Sequence, residues 1–141
     1  MLAVLLSITS IAGYSQVTDV RPKLYASLPQ TINIDQTKFE RALTSEAGKE
    51  ITLLLSPEFT FTGTVISNFT KYNNLHTVML RSNENANSIL QITLVADNNN
   101  LTYAGRIINS NAADGFEIKN NNGIYSLQKF ETKKLLDPCN L

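Results

Sequence analysis

Phe59-Thr-Phe-Thr-Gly-Thr-Val-Ile-Ser-Asn68 decides how the rest of the chain is read. Large apolar residues alternate with small polar ones, and one glycine, Gly63, stands near the centre. A period of two belongs to a strand with one buried and one solvated face. Phe59, Phe61 and Val65 point to one side and Thr60, Thr62 and Thr64 to the other. An echo follows at Leu101-Thr-Tyr-Ala-Gly-Arg-Ile-Ile-Asn-Ser110, where Thr102, Gly105 and Ile108 repeat Thr60, Gly63 and Ile66 at a spacing of 42. The two are expected to be equivalent strands of one antiparallel sheet. Register is lost beyond them, so duplication and chance recurrence in an alternating sheet both stay open. A glycine inside a strand marks a bulge, a bend or the close approach of another backbone.

Working outward, the same period runs through most of the chain. Ile51-Thr-Leu-Leu-Leu55 reads as a buried strand that Pro57 ends. His76–Ser82, Ser88–Ala96, Leu101–Asn109, Gly115–Lys119 and Gly123–Phe130 follow as further strands. Asparagine is abundant, with 16 residues, and its clusters fall between these strands. Asn tolerates a left-handed backbone, so Asn73-Asn74, Asn98-Asn-Asn100 and Asn120-Asn-Asn122 predict hairpin turns. Asn122-Gly123 is the strongest of these signals. Lys133–Leu136 adds a last turn or short strand.

One segment departs from this period. Phe39, Ala42, Leu43 and Ala47 recur at helical spacing, with Lys38, Glu40, Arg41 and Glu46 between them. Asp35 or Thr37 can cap the start, Thr37-x-x-Glu40 fits a capping box, and Gly48 is placed to end it. The spacing predicts an amphipathic helix of about three turns. Gln16–Ile34, with Pro22 and Pro29, reads as an extended arm carrying a short edge strand at Lys23-Leu-Tyr25.

Composition narrows the function classes. The chain has 141 residues, the size of one domain, with 12 acidic and 12 basic side chains. Without a basic excess, nucleic acid is not an expected partner. At 43% hydrophobic residues the chain can bury a core. Met1–Ser15 reads as an export signal: a short apolar run, then Gly13 and Ser15 at −3 and −1 before a cleavage site at Gln16. No Lys or Arg precedes the run, and it is far shorter than the about 20 residues of a membrane span. Export would oxidise paired cysteines, but Cys139 is the sole one. It is expected either to cross-link a partner or to stay an unpaired tail thiol.

No motif announces catalysis. His76 is the sole histidine and reads as a residue of the sheet surface. The loops Asp97–Asn100 and Asn109–Asp114 carry oxygen ligands but lack a calcium-loop spacing, so turn chemistry accounts for them better. Asp114, Glu117, Glu84 and Glu131 are the carboxylates that a fold could bring together for acid–base work. Phe59, Phe61, Phe69, Tyr72, Tyr103, Phe116, Tyr125 and Phe130 lie on or beside strands. They read as core phenylalanines with rim tyrosines, the alternative being an exposed tyrosine row that stacks on sugars or receives a peptide.

The signal ending Gly13-Tyr-Ser-Gln16, then Lys23-Leu-Tyr-Ala-Ser-Leu-Pro29, Lys71-Tyr-Asn-Asn-Leu75, Tyr103-x-Gly105-Arg-Ile107, Ala113-Asp-Gly115 and a C-terminal Cys together resemble small exported proteins of Bacteroidetes-type bacteria. The resemblance implies an exported compartment and a single β-rich domain. It transfers no site residue. The short tail after the last strand leads to an expectation of general secretory export.

The sequence therefore predicts an α+β domain over 35–141, behind a signal at 1–15 and an arm at 16–34. One N-terminal helix packs on a meandering antiparallel sheet of about six to eight strands, with curling into a partial barrel as the alternative. The expected function is an exported, non-enzymatic binding module for a protein or extended peptide. The alternatives are a small hydrolase or lyase acting through clustered carboxylates and tyrosines, and an envelope protein cross-linked through Cys139. No catalytic, cofactor-binding or metal-ligating residue is assigned.

Overall fold

A computed structural model describes residues 18–135. The signal segment, the cleavage site and Cys139 lie outside the described residues. Strands β1 (Thr31–Ile34), β2 (Glu50–Ser56), β3 (Phe59–Lys71), β4 (Leu75–Ser82), β5 (Ser88–Asp97), β6 (Asn100–Asn109), β7 (Asp114–Asn121) and β8 (Ile124–Glu131) form one sheet. Its order is β1-β8-β7-β6-β5-β4-β3-β2, with every pair antiparallel. From β2 to β8 it is a plain meander, and β1 is added at the far edge. The sheet curls into a half-barrel whose two edges, β1 and β2, approach each other without a ladder between them.

The helix α1 (Thr37–Leu43) is not N-terminal to the sheet as the sequence predicts. Strand β1 precedes it, built from residues that read as an arm because Thr31-Ile-Asn-Ile34 is too short to show a period. Helix α1 therefore bridges the two sheet edges. It is also shorter than expected. Asp35 Oδ1 accepts the Thr37 N–H at 2.8 Å, while the N-cap position falls on Gln36 with no side-chain cap. The capping box does not form. At the other end the hydroxyls of Thr44 and Ser45 donate back to Glu40 O and Arg41 O and close the last turn before Ala47. Lys23-Leu-Tyr25 is not a strand either. Leu24–Ser27 forms a turn that sends Tyr25 into the core.

The turns follow from asparagine chemistry. Tyr72 and Asn73, Asn98 and Asn99, and Asn122 with Gly123 all take positive φ. Consecutive left-handed residues give the backbone twist that tight hairpins need, and Asn bears that conformation better than branched residues.

Alternation places the core on the concave side. Phe61, Val65, Val78, Leu80, Leu90, Ile92, Ile107, Phe116 and Leu127 are all nearly inaccessible. Phe39, Ala42 and Leu43 of α1 fill the hollow they enclose. Phe39 stacks against Tyr103 and Tyr125 at ring-centroid distances of 5.3 and 5.6 Å. Burying a side chain of that size contributes about 1.5–3 kcal/mol, which a seven-residue helix needs because it is too short to stand alone.

One irregularity decides the distal half of β3. A bulge between Val65 and Ser67 inserts an extra residue and reverses the facing of everything after it. Phe69 therefore projects into solvent, about half exposed, and Asn68 turns inward. Asn68 Nδ2 donates to Leu43 O and Ser45 O at 2.8 and 2.7 Å, which satisfies carbonyls at the end of α1.

Candidate functional site

With α1 occupying the hollow, the accessible surface is the rim, the outer face and the two edges that no ladder joins. Of the four candidate carboxylates only Asp114 and Glu131 adjoin, as cross-strand partners on β7 and β8. Asp114 is buried and accepts Leu24 N–H at 2.7 Å and Tyr25 N–H at 3.1 Å, so it anchors the N-terminal arm. Glu131 lies opposite Asp114 on β8 but pairs with Lys23 of the arm at 2.8 Å. Glu117 lies on the outer face beside Lys119 at 2.7 Å. Glu84 belongs to the β4–β5 loop, where its N–H meets Ser82 Oγ. Among the described residues no group of three or more His, Cys, Asp or Glu could hold a metal ion.

His76 is half-buried on the inner face rather than on the outer surface. Its Nε2 lies 2.6 Å from Asn68 Oδ1. Because Asn68 Nδ2 already donates to two carbonyls, Oδ1 is the acceptor and His76 Nε2 carries the proton. Its role is to orient the asparagine that closes α1. The acidic loops are turns: Asp97–Asn100 is the β5–β6 hairpin, and Asn109 Oδ1 accepts the Asn111 N–H at 2.8 Å. Nor is there a tyrosine row outside among the described residues. Tyr25, Tyr103 and Tyr125 are buried, and burial pushes the Tyr25 and Tyr103 hydroxyls above their ordinary range. Tyr72 is exposed in its turn, with Lys71 Nζ 4.8 Å from the ring centroid.

Two surfaces remain that the sequence did not single out by residue. The first is the outward edge of β2. Asn83 N–H donates to Thr62 O, so Thr62 turns its peptide groups toward β4. Antiparallel alternation then bonds β2 to β3 through Ile51↔Gly63 and Leu53↔Phe61. The peptide groups of Glu50, Thr52 and Leu54 consequently face away from the sheet. Leu54 adds an apolar side chain, 54% exposed, on the outer face.

The second is a groove of about 680 Å³ at one end of the outer face. Ile89 and Ile108 are cross-strand neighbours and line it, with Arg81 directly opposite Ile89 on β4. Ala86 and Asn87 of the β4–β5 loop contribute one side, and Ser110 and Leu135 another. Arg21 is held there by the arm: it donates to Thr132 Oγ1 at 2.9 Å and to Ser110 O at 3.2 Å, and pairs with Asp19 at 2.6 Å. Hydrogen bonds from Arg21 hold the Asp19 carboxyl down at about 2. Arg81 has no ion-pair partner among the described residues. No family model, curated protein or solved structure matches this chain.

Proposed function

We propose that the chain is an exported, non-catalytic interaction module that pairs an extended segment of another exported protein with the edge of β2, entering between β2 and β1, which approach each other without a ladder. The carrying observation is the row of outward peptide groups at Glu50, Thr52 and Leu54 beside an exposed leucine. An added strand would satisfy those groups and gain specificity from alternate side chains. Asp114, Glu131 and Glu117 are each engaged in structural contacts, which favours binding over acid–base chemistry. The apolar N-terminal run supports the exported compartment.

Thr52→Pro tests the reading cleanly. The Thr52 N–H points away from β3, so proline removes a donor that the ladder does not use. Peptides selected on an array of extended sequences should slow hydrogen exchange at the Thr52 and Leu54 amides. The Thr52→Pro protein should fold normally and lose them. Peptides that bind without protecting those amides, or that bind the folded proline variant equally well, would refute edge pairing. A wild-type protein that self-associates through these amides would replace the foreign segment with a second copy.

A further inference from the structure

We infer that the groove beside Arg81 is a second, separate binding site, and that it takes a small amphiphile with an alkyl chain and one carboxylate. Its floor is apolar where an outer sheet face is ordinarily polar. Ile89 and Ile108 stand side by side on central strands, and Leu135 and Ala86 extend the apolar lining. Its size lies within the range of small-molecule pockets. Arg81 is one strand away from Ile89 in the same row, so its guanidinium reaches the groove from the apolar floor's edge. With no carboxylate among the described residues paired to it, Arg81 presents a planar fork that matches a ligand carboxylate. Arg21, by contrast, is committed to Asp19, Thr132 and Ser110, so it shapes the groove and leaves the anion to Arg81.

The backbone beneath the floor decides between an alkyl chain and a peptide. Ile89 and Ile108 are partners in the β5–β6 ladder, in phase with the closing pair Asp97↔Asn100, so their peptide groups are spent on each other. A peptide laid across them would carry its own N–H and C=O groups over an apolar floor that cannot answer them. A hydrocarbon chain carries none. The site is thus distinct in chemistry and in strand from the β2 edge.

The probe is dodecanoate, titrated below its micelle concentration into the full chain by calorimetry and by methyl NMR. Saturable one-to-one binding is expected, with the largest shifts at the Ile89 and Ile108 methyls. Arg81→Leu keeps the apolar stem on an exposed position and should weaken binding about tenfold, as should replacing the carboxylate by an alcohol in dodecanol. Arg106→Leu, an exposed arginine outside the groove lining, should leave binding unchanged. Absence of saturable binding, equal effects of the two arginine substitutions, or equal affinity for dodecanol would overturn the inference. So would tighter binding of acetyl-trileucine acid, which would make the site a peptide-terminus receptor. The Thr52→Pro protein should bind dodecanoate normally, so failure at one surface is not failure at the other.

Discussion

Gly105→Ala is the sharpest test of why the sheet curls as it does. Gly105 faces Ile92 across the β5–β6 ladder, and a Cβ added there would lie 2.0 Å from the Gln91 carbonyl oxygen and 3.1 Å from Ile118 Cδ1. The obstacle is backbone in a central strand paired on both sides, so it cannot swing away as a side chain would. Relief requires β5 and β6 to separate locally. Overpacking of this kind costs about 1–3 kcal/mol, and a distorted ladder adds about 1–3 kcal/mol more. The expected loss is about 2–6 kcal/mol, much of the stability of a domain this size. Gly63→Ala should cost less, about 1–3 kcal/mol, because its Cβ would lie 2.7 Å from Arg81 O. Gly123→Ala meets nothing within 4 Å and bears only the strain of φ +86°, about 1 kcal/mol. Urea unfolding followed by circular dichroism ranks the three, with m unchanged if the denatured states are alike. A Gly105→Ala protein within about 1 kcal/mol of wild type, or one more stable than Gly123→Ala, would refute the close-crossing argument.

Asp114→Asn should cost about 2–4 kcal/mol, because an amide replaces a buried carboxylate that accepts two backbone N–H groups. Faster exchange of the Leu24 and Tyr25 amides would locate the loss in the arm. Glu117→Gln, at an exposed pair, should shift stability by under about 0.5 kcal/mol, measured by the same urea titration. Alkaline titration should show a falling limb that begins at the ordinary tyrosine range. The Tyr25 pKa is raised by burial, so its contribution is complete below 10.0 and is lost as pH climbs through the higher folded value. Tyr25→Phe should flatten that limb, and an unchanged slope would show that Tyr25 is not its source.

The β character, the positions of strands β2 to β8 and the hairpins were legible in local sequence because each depends on a few neighbouring residues. Period two gives facing, and Asn at positive φ gives turns, as Asn98, Asn99 and Asn122 show. The helix was legible as an apolar face at Phe39, Ala42 and Leu43 but not in its length or place. Its ends are governed by Thr44 and Ser45 hydroxyls competing for carbonyls, and its place by a short β1 that finds β8 far along the chain.

The candidate surfaces were less legible. Neither the β2 edge nor the groove has a motif, because each depends on which strand lies beside which. The bulge at Val65–Ser67 reversed the expected facing of Phe69 and turned Asn68 inward to meet His76. A single inserted residue leaves little trace in a run of alternating side chains. Asp114 is one of four carboxylates that a fold could bring together for acid–base work, yet it holds a turn some 90 positions earlier.

By itself, then, the sequence determined a strand-rich domain with one amphipathic helix, because hydrophobic period and turn propensity act over a few residues. The tertiary structure alone decided that the two glycines lie under neighbouring carbonyls, that α1 fills the half-barrel, and that Arg81 stands beside an apolar row without a counter-charge among the described residues. Those features arise from contacts between distant segments. Their energies depend on distance and burial, which no local pattern of side chains encodes.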